Sequence, residues 1–242
     1  MKEISQIIRT IETSNSNVNP TEICNEGWMT RLLVYYSIQE KIKVKEIDFK
    51  SIKNWTSEAL LSSPFVKVSS NREGYTHTDM ALGDFIVDYE KRGQIMVNPD
   101  AKQFGVIEAK MKSPLSRRTS NAKDYNQASR NITCIAHNTN FDCKTFFYVA
   151  LPETKLPKKN RAGFSISDFI AKDEIKKQIK DRLSPYSTNG IDKINDVDII
   201  AKVEKCTVGI ITYEEWIELF NDTKIKETLN VFYDNCKKWN KL

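Results

Sequence analysis

Histidine and glycine are scarce in this 242-residue chain, with two of the first and eight of the second, and both scarcities exclude chemistry. His77 and His137 lie far apart and no Gly-x-Ser-x-Gly stretch accompanies either, so a serine or cysteine hydrolase with a histidine base has little support. His77 reads as a strand-end residue and His137 as a helix-end residue. No glycine group makes a Walker or dinucleotide-binding pattern, so ATP-driven translocation would need a partner protein. The five cysteines are odd in number, widely spread and without a CxxC, which argues against a disulfide framework and a structural zinc site. No apolar run reaches bilayer length, and Met1-Lys2-Glu3-Ile4-Ser5 lacks the long apolar region of a secretory signal. The expectation is a cytoplasmic protein without a membrane partner.

Charge is present in both signs. Thirty-seven Lys and Arg against thirty-two Asp and Glu leave +5, which permits a polyanionic partner without requiring one. The basic residues gather at Lys110-Met111-Lys112, Arg117-Arg118, Lys155 to Arg161, and Lys172 to Arg182, the last reading as the polar face of a helix. With 40% hydrophobic content the chain can bury a sizeable core. We expect a single domain over 1–242, with its core at about 20–220. Helical spacing marks 2–13, a helix from Pro20 through Ile38, and a shorter one within 46–62 around Trp55, Ala59 and Leu60. Strands are expected at 64–69, 78–89, 94–97, 104–111, 145–151 and 206–212. Further helices fall at 121–138, 167–182, from Tyr213 and over 225–239, with a polar linker at 184–192. Strands interleaved with helices predict an α/β fold, a sheet covered on both faces.

The most informative feature is Glu108-Ala109-Lys110, at the end of the apolar run Phe104-Gly105-Val106-Ile107. Strand side chains repeat direction every second residue, so Glu108 and Lys110 should project side by side. Burying such charges is costly unless they hold a metal, a partner charge or a reacting group. Upstream lies Thr78-Asp79-Met80-Ala81-Leu82-Gly83-Asp84, strand-like and punctuated by carboxylates. If the two strands pair, an aspartate can face Glu108 with Lys110 alongside. Two hard oxygen ligands suit Mg²⁺ or Mn²⁺, and a nearby lysine can position water or steady charge on phosphorus.

An acidic residue, a hairpin and then Glu-x-Lys resembles the PD-(D/E)xK nuclease superfamily. The stretch Val106 to Met111, then Ser113-Pro114-Leu115-Ser116 and Tyr125-Asn126-Gln127-Ala128-Ser129-Arg130-Asn131, is similar to a mostly uncharacterised prokaryotic branch of it. The resemblance covers roughly 20–150. It implies a restriction-endonuclease-like mixed β-sheet flanked by helices and a Mg²⁺-dependent phosphodiesterase acting on nucleic acid, DNA first. Carried over by position, Glu108 would ligate the metal and Lys110 would be the catalytic lysine. Asp79 is the first choice for the acidic partner because it opens an apolar strand. Asp84 is its rival, on the opposite face unless Gly83 marks a bulge. Asp100, in the literal Pro99-Asp100, ranks third because it leaves a cramped hairpin before Glu108. Glu26 matches a family glutamate on an N-terminal helix and would be a further metal ligand, with Glu22 as substitute, and Gln127 matches the helix glutamine after the Glu-x-Lys strand, which contacts the site or the nucleic acid.

On a helix Lys123, Gln127, Arg130 and Cys134 would share one face. Arg117, Arg118, Lys123 and Arg130 are the candidate phosphate contacts, conferring salt sensitivity without base specificity. Two other readings stand beside the nuclease: a catalytically silent nucleic-acid or protein-binding module, and a prokaryotic defence effector switched on by a partner or signal. Double-strand cutting would favour a homodimer.

Overall fold

The computed structural model describes residues 18–68, 70–112, 115–119, 122–159, 163, 165–186 and 194–242. The expected helix over 2–13 lies outside the described residues, as does Ser113-Pro114. After a single turn α1 (Pro20–Ile23), helix α2 (Glu26–Glu40) starts where the Asn25 side chain accepts the Trp28 N–H. It stops at Lys41, a left-handed residue at φ 53°. A two-strand hairpin follows, β1 (Lys43–Val44) and β2 (Ile47–Asp48), and then the main sheet begins.

That sheet has seven strands in the order β5-β6-β3-β4-β7-β8-β9. Its members are β3 (Asn54–Leu61), β4 (Thr76–Gly83), β5 (Phe85–Asp88), β6 (Gln94–Val97), β7 (Gln103–Ala109), β8 (Lys144–Leu151) and β9 (Thr207–Thr212). β4 runs antiparallel to both β3 and β7, whereas β7, β8 and β9 are parallel, so the sheet is mixed. β7 is buried at every position, as a central strand covered on both faces must be.

The helices are α3 (Gln127–Asn138), α4 (Ile166–Phe169), α5 (Lys172–Leu183), α6 (Asp196–Lys205), α7 (Tyr213–Glu218) and α8 (Thr223–Asn240). One core joins Phe104, Val106, Phe147 and Val149 of the sheet to Ile132 of α3, Ile175 of α5 and Ile199 of α6. The other joins Met80, Leu82, Ile107 and Tyr148 to Leu33 of α2, Trp216 of α7 and Leu229 of α8. The molecule is thus a single α/β domain, its sheet flanked by helices on both faces. Among the described residues no helix is long and apolar enough to cross a membrane.

Several sequence expectations are corrected. The helix expected within 46–62 is β2 and β3, because β3 finds backbone partners on both sides, in β4 and β6. Residues 64–67 form a turn where a strand was expected. The strand over 78–89 is two strands, divided at Gly83, whose φ is +148° and whose missing Cβ would meet the Gln103 carbonyl oxygen at 2.5 Å. The helix over 121–138 begins only at Gln127, capped by the Asn126 side chain on the Ser129 N–H, and the one over 167–182 is α4 and α5. Helix α6 occupies a stretch for which the sequence had offered no element.

Candidate active site

The ladder between β4 and β7 ends at the pair Met80↔Ile107, and one step further sets Asp79 opposite Glu108. Here the side-chain alternation of β3 and β4 reverses. Ala59 and Leu61 point into the core beneath α3, yet Trp55, of the same parity, packs on the α2 side and Ser57 Oγ accepts from Arg31 of α2. In β4, Thr76 bonds to Asn131 of α3, whereas Met80 and Leu82 lie in the α2-side core. The reversal falls at Glu58 and Asp79, which the register sets opposite each other, and Glu58 has the left-handed φ of 55°. Such a backbone in a residue with a Cβ costs about 1–3 kcal/mol and persists where its surroundings hold it.

The consequence is that Asp79 turns its carboxylate onto the end of β7. Its Oδ2 accepts the Ala109 N–H at 2.8 Å and lies 3.7 Å from Lys110 Nζ. Lys110 Nζ donates to Glu108 Oε1 at 2.6 Å, and the Lys110 N–H donates to Ala150 O of β8, which fixes the strand end. Glu108 is 1% exposed. Its Oε1 also accepts from the Gln127 amide, and its Oε2 from Asn131 Nδ2 at 3.3 Å. Gln127 is anchored in turn, its Oε1 accepting the Ser116 N–H and its own N–H donating to Ser116 O. Asn131 sits one helical turn beyond Gln127 and also takes the Thr76 hydroxyl at 3.4 Å. It closes the Tyr125 to Asn131 stretch, and its i, i+4 spacing from Gln127 is the sequence signal that marks it.

Two carboxylates here share one lysine. Burial first, then the Asp79 charge, push the Glu108 carboxyl up to about 8, against the pull of Lys110. Burial lowers the Lys110 ammonium, but Glu108 and Asp79 more than offset it and hold it above its ordinary value. Lys110 is therefore a firm cation and a donor, while the carboxylate pair has affinity for one more positive charge. A proton supplies it weakly; a hard divalent cation would supply it better, and carboxylate oxygens are the donors Mg²⁺ takes. Among the described residues no group of three or more His, Cys, Asp or Glu could hold a metal ion, so Glu26, expected as a third ligand, does not join Asp79 and Glu108, which remain the candidate pair.

Asp79, its side chain 31% exposed, opens onto a pocket of about 640 Å³. Glu22, Glu26, Trp28, Arg31, Glu58 and Lys112 are among the other residues that line it. Glu26 reaches it from the start of α2, where its Oε2 accepts the Met111 N–H at 2.5 Å. Glu58, Lys112 and Trp28 are wall residues the sequence reading did not place there. Lys155 is close by, donating to Lys112 O at 3.4 Å, and burial and Lys158 pull its ammonium down against Glu26.

The remaining candidates lie elsewhere. Asp84, five residues past Asp79 on the chain, is about 16 Å further along the strand direction. It pairs with Lys53 at 2.5 Å and with the Asn98 amide at 2.5 Å. Asp100 is in the turn before β7, at the same end of the sheet as Asp84. The expected polar face of Lys123, Gln127, Arg130 and Cys134 does not form. Lys123 precedes α3, and Cys134 is fully buried, its thiol pushed up to about 12 by that burial. Arg130 grips the start of β4 through Gly74 O and Tyr75 O and faces Glu73. Arg117 and Arg118 are exposed, and Arg117 and Lys123 line a separate cleft of about 390 Å³ with Asp124 and Glu174. No family model, curated protein or solved structure matches the chain.

Proposed function

We propose that this chain is a metal-dependent nuclease of the PD-(D/E)xK type that hydrolyses phosphodiester bonds of nucleic acid, DNA first. The observation that carries the reading is the meeting of Asp79, Glu108 and Lys110 at one end of the β4–β7 pair, with the carboxylates in excess over the lysine. The order of elements supports it: helix α2, the antiparallel strands β3, β4 and β7, helix α3 and the parallel strand β8 suit a restriction-endonuclease-like core.

Asp79 and Glu108 would hold Mg²⁺, with Mn²⁺ as substitute. When bound, the ion supplies a Lewis acid for a phosphoryl oxygen and lowers the pKa of a coordinated water. The chain does the rest. Gln127 and Asn131 fix the Glu108 carboxylate, so the donor atoms are set before substrate arrives. Lys110, held as an ammonium, donates to the attacking water or to the charge that builds on phosphorus. Glu26 orders the end of β7 through the Met111 N–H and adds a carboxylate to the pocket wall. Lys112 and Lys155 are nearer backbone contacts than Arg130, whose guanidinium is committed to β4.

The test is cleavage of duplex DNA, single-stranded DNA and RNA with Mg²⁺, Mn²⁺ or EDTA, by wild type and Lys110→Ala. Cutting that needs the metal and is lost in the variant is the expected result. Cutting in EDTA would overturn the metal dependence, and none by folded wild type on any substrate would overturn the reading and leave a binding module of this fold or an effector that needs a partner.

A further inference from the structure

The pocket in front of Asp79 is not uniformly ionic. Trp28 stands on its wall two residues after Glu26, and it is 40% exposed. A single exposed aromatic is ordinary on a protein surface, so its exposure alone decides nothing. Its placement does. The Arg31 guanidinium lies 5.2 Å from the centre of the indole ring, and Arg31 is itself tied to Ser57 Oγ at 3.0 Å and to Glu58. The ring is thus held at the pocket by a cation already spoken for.

Binding a phosphodiester backbone requires cations and donors, not an indole. An aromatic wall is useful to a ligand with a flat face to stack, and the flat faces of nucleic acid are its bases. In an intact duplex those faces are covered by neighbouring base pairs. An unpaired nucleotide can offer one, and 640 Å³ lies within the size range of pockets that enclose small ligands. We propose that Trp28 is a stacking platform for an unpaired base next to the scissile phosphate, so that the site acts on single strands or single-stranded overhangs and not within paired duplex. This rests on the nuclease reading of Asp79 and Glu108. In this arrangement the cation that Asp79 and Glu108 would hold, with Lys112 on the pocket wall, faces the phosphate while Trp28 takes the adjoining base, and every base has a face to stack, so cutting carries little sequence preference.

The experiment measures binding to labelled short single strands of DNA and of RNA, the same DNA strand made abasic, and a blunt hairpin duplex, with Ca²⁺ replacing Mg²⁺. Wild type should hold the intact strand about tenfold tighter than the abasic one. Trp28→Ala should erase that difference, Trp28→Phe should keep most of it, and Tyr89→Ala, an exposed aromatic beyond strand β5 at the sheet edge, should leave it intact. Quenching of wild-type tryptophan fluorescence by the intact but not the abasic strand checks the contact without a substitution. The DNA and RNA arms identify the sugar. Equal binding of intact and abasic strands, preference for the hairpin, or no binding would overturn the inference. With Mg²⁺, cutting of blunt duplex as fast as single strands overturns this inference and leaves the nuclease standing. Base-dependent binding without cutting of any substrate keeps Trp28 as the platform and overturns the nuclease.

Discussion

Two aspartates flank the β4–β7 ladder, Asp79 in mid-strand just before it and Asp84 just after it, and each has a lysine beside it. Just past the C-terminal end of β4, Asp84 meets Lys53 and the Asn98 amide, and these partners hold its carboxyl below the usual carboxylate range. In mid-strand, where the ladder to β7 ends, Asp79 shares Lys110 with Glu108, and the Glu108 carboxyl rises to about 8. Each pairs an aspartate with a lysine, but the second adds Glu108, and the electrostatics are opposite. One carboxylate with one lysine and one amide is satisfied, and the cluster can serve as a clasp between β5, β6 and the start of β3. Gln127, Asn131 and the Ala109 N–H give the second cluster its hydrogen bonds, but two carboxylates there face one lysine, and that charge imbalance gives it its capacity to bind a cation. Counting acids against bases within each cluster separates the two better than the presence of an ion pair does.

The largest expected effect contrasts the two lysines. Lys110→Ala should lower cleavage by about 10²–10³-fold, the usual cost of removing a donor aimed at developing charge. Lys53→Ala should leave cleavage within error of wild type, because its carboxylate faces away from the pocket wall. Equal losses in the two variants would dissolve the comparison. Next comes metal-induced stability. Mg²⁺ at a hundredfold excess over its Kd should stabilise wild type and Asp84→Asn by about 2.7 kcal/mol in thermal melts, and should not stabilise Glu108→Gln.

A pH experiment sharpens the same point. The folded Glu108 pKa lies above its ordinary value of 4.5, so folding takes up a proton in the window from about 4.5 to 8. Metal-free stability should therefore fall as pH rises through that window and flatten above it. Bound Mg²⁺ displaces the proton, so its affinity should rise with pH, by at most about tenfold per unit, until pH 8. Calorimetry in buffers of different ionisation heat should count up to about one proton released per ion near neutrality, and Glu108→Gln should release none. Proton release that persists in Glu108→Gln would assign it to another group. The smallest effect concerns the kink. Glu58→Gly accepts the left-handed backbone and should keep Mg²⁺ affinity, whereas Glu58→Val should lose about 1–2 kcal/mol of stability and bind the ion more weakly. Identical behaviour of the two would mean that the kink does not place Asp79.

Much of this was legible in the sequence where local chemistry sufficed. A continuous apolar run closing on Glu108 and Lys110 marks a buried strand with charges at its end, and β7 has that form. Helix α2 was legible through its apolar residues, but the single helix expected from Pro20 is broken at Cys24 and Asn25 into α1 and α2. What was not legible depended on contacts distant in sequence. Trp55, Ala59 and Leu60 are spaced as on a helix, but the chain there is held by ladders to β4 and β6. In sequence Asp79 is preferred to Asp84 because it opens an apolar strand, with alternation placing the two on opposite faces; nothing local shows that alternation reverses at Glu58, a residue type that does not announce a positive φ. Asn195 capping the Asp198 N–H, with Ile199 and Val203 one turn apart, is a helix signal for α6 that went unused. Arg130 reads as a phosphate contact in sequence because nothing local reveals that Gly74, Tyr75 and Glu73 claim it.

The most direct test of the central claim sets the two aspartates against each other. Cleavage of single-stranded DNA with Mg²⁺ should be abolished in Asp79→Asn and retained in Asp84→Asn, with both variants folded by thermal melt. Retention in Asp79→Asn together with loss in Asp84→Asn would contradict the account and move the chemistry to the other end of the sheet.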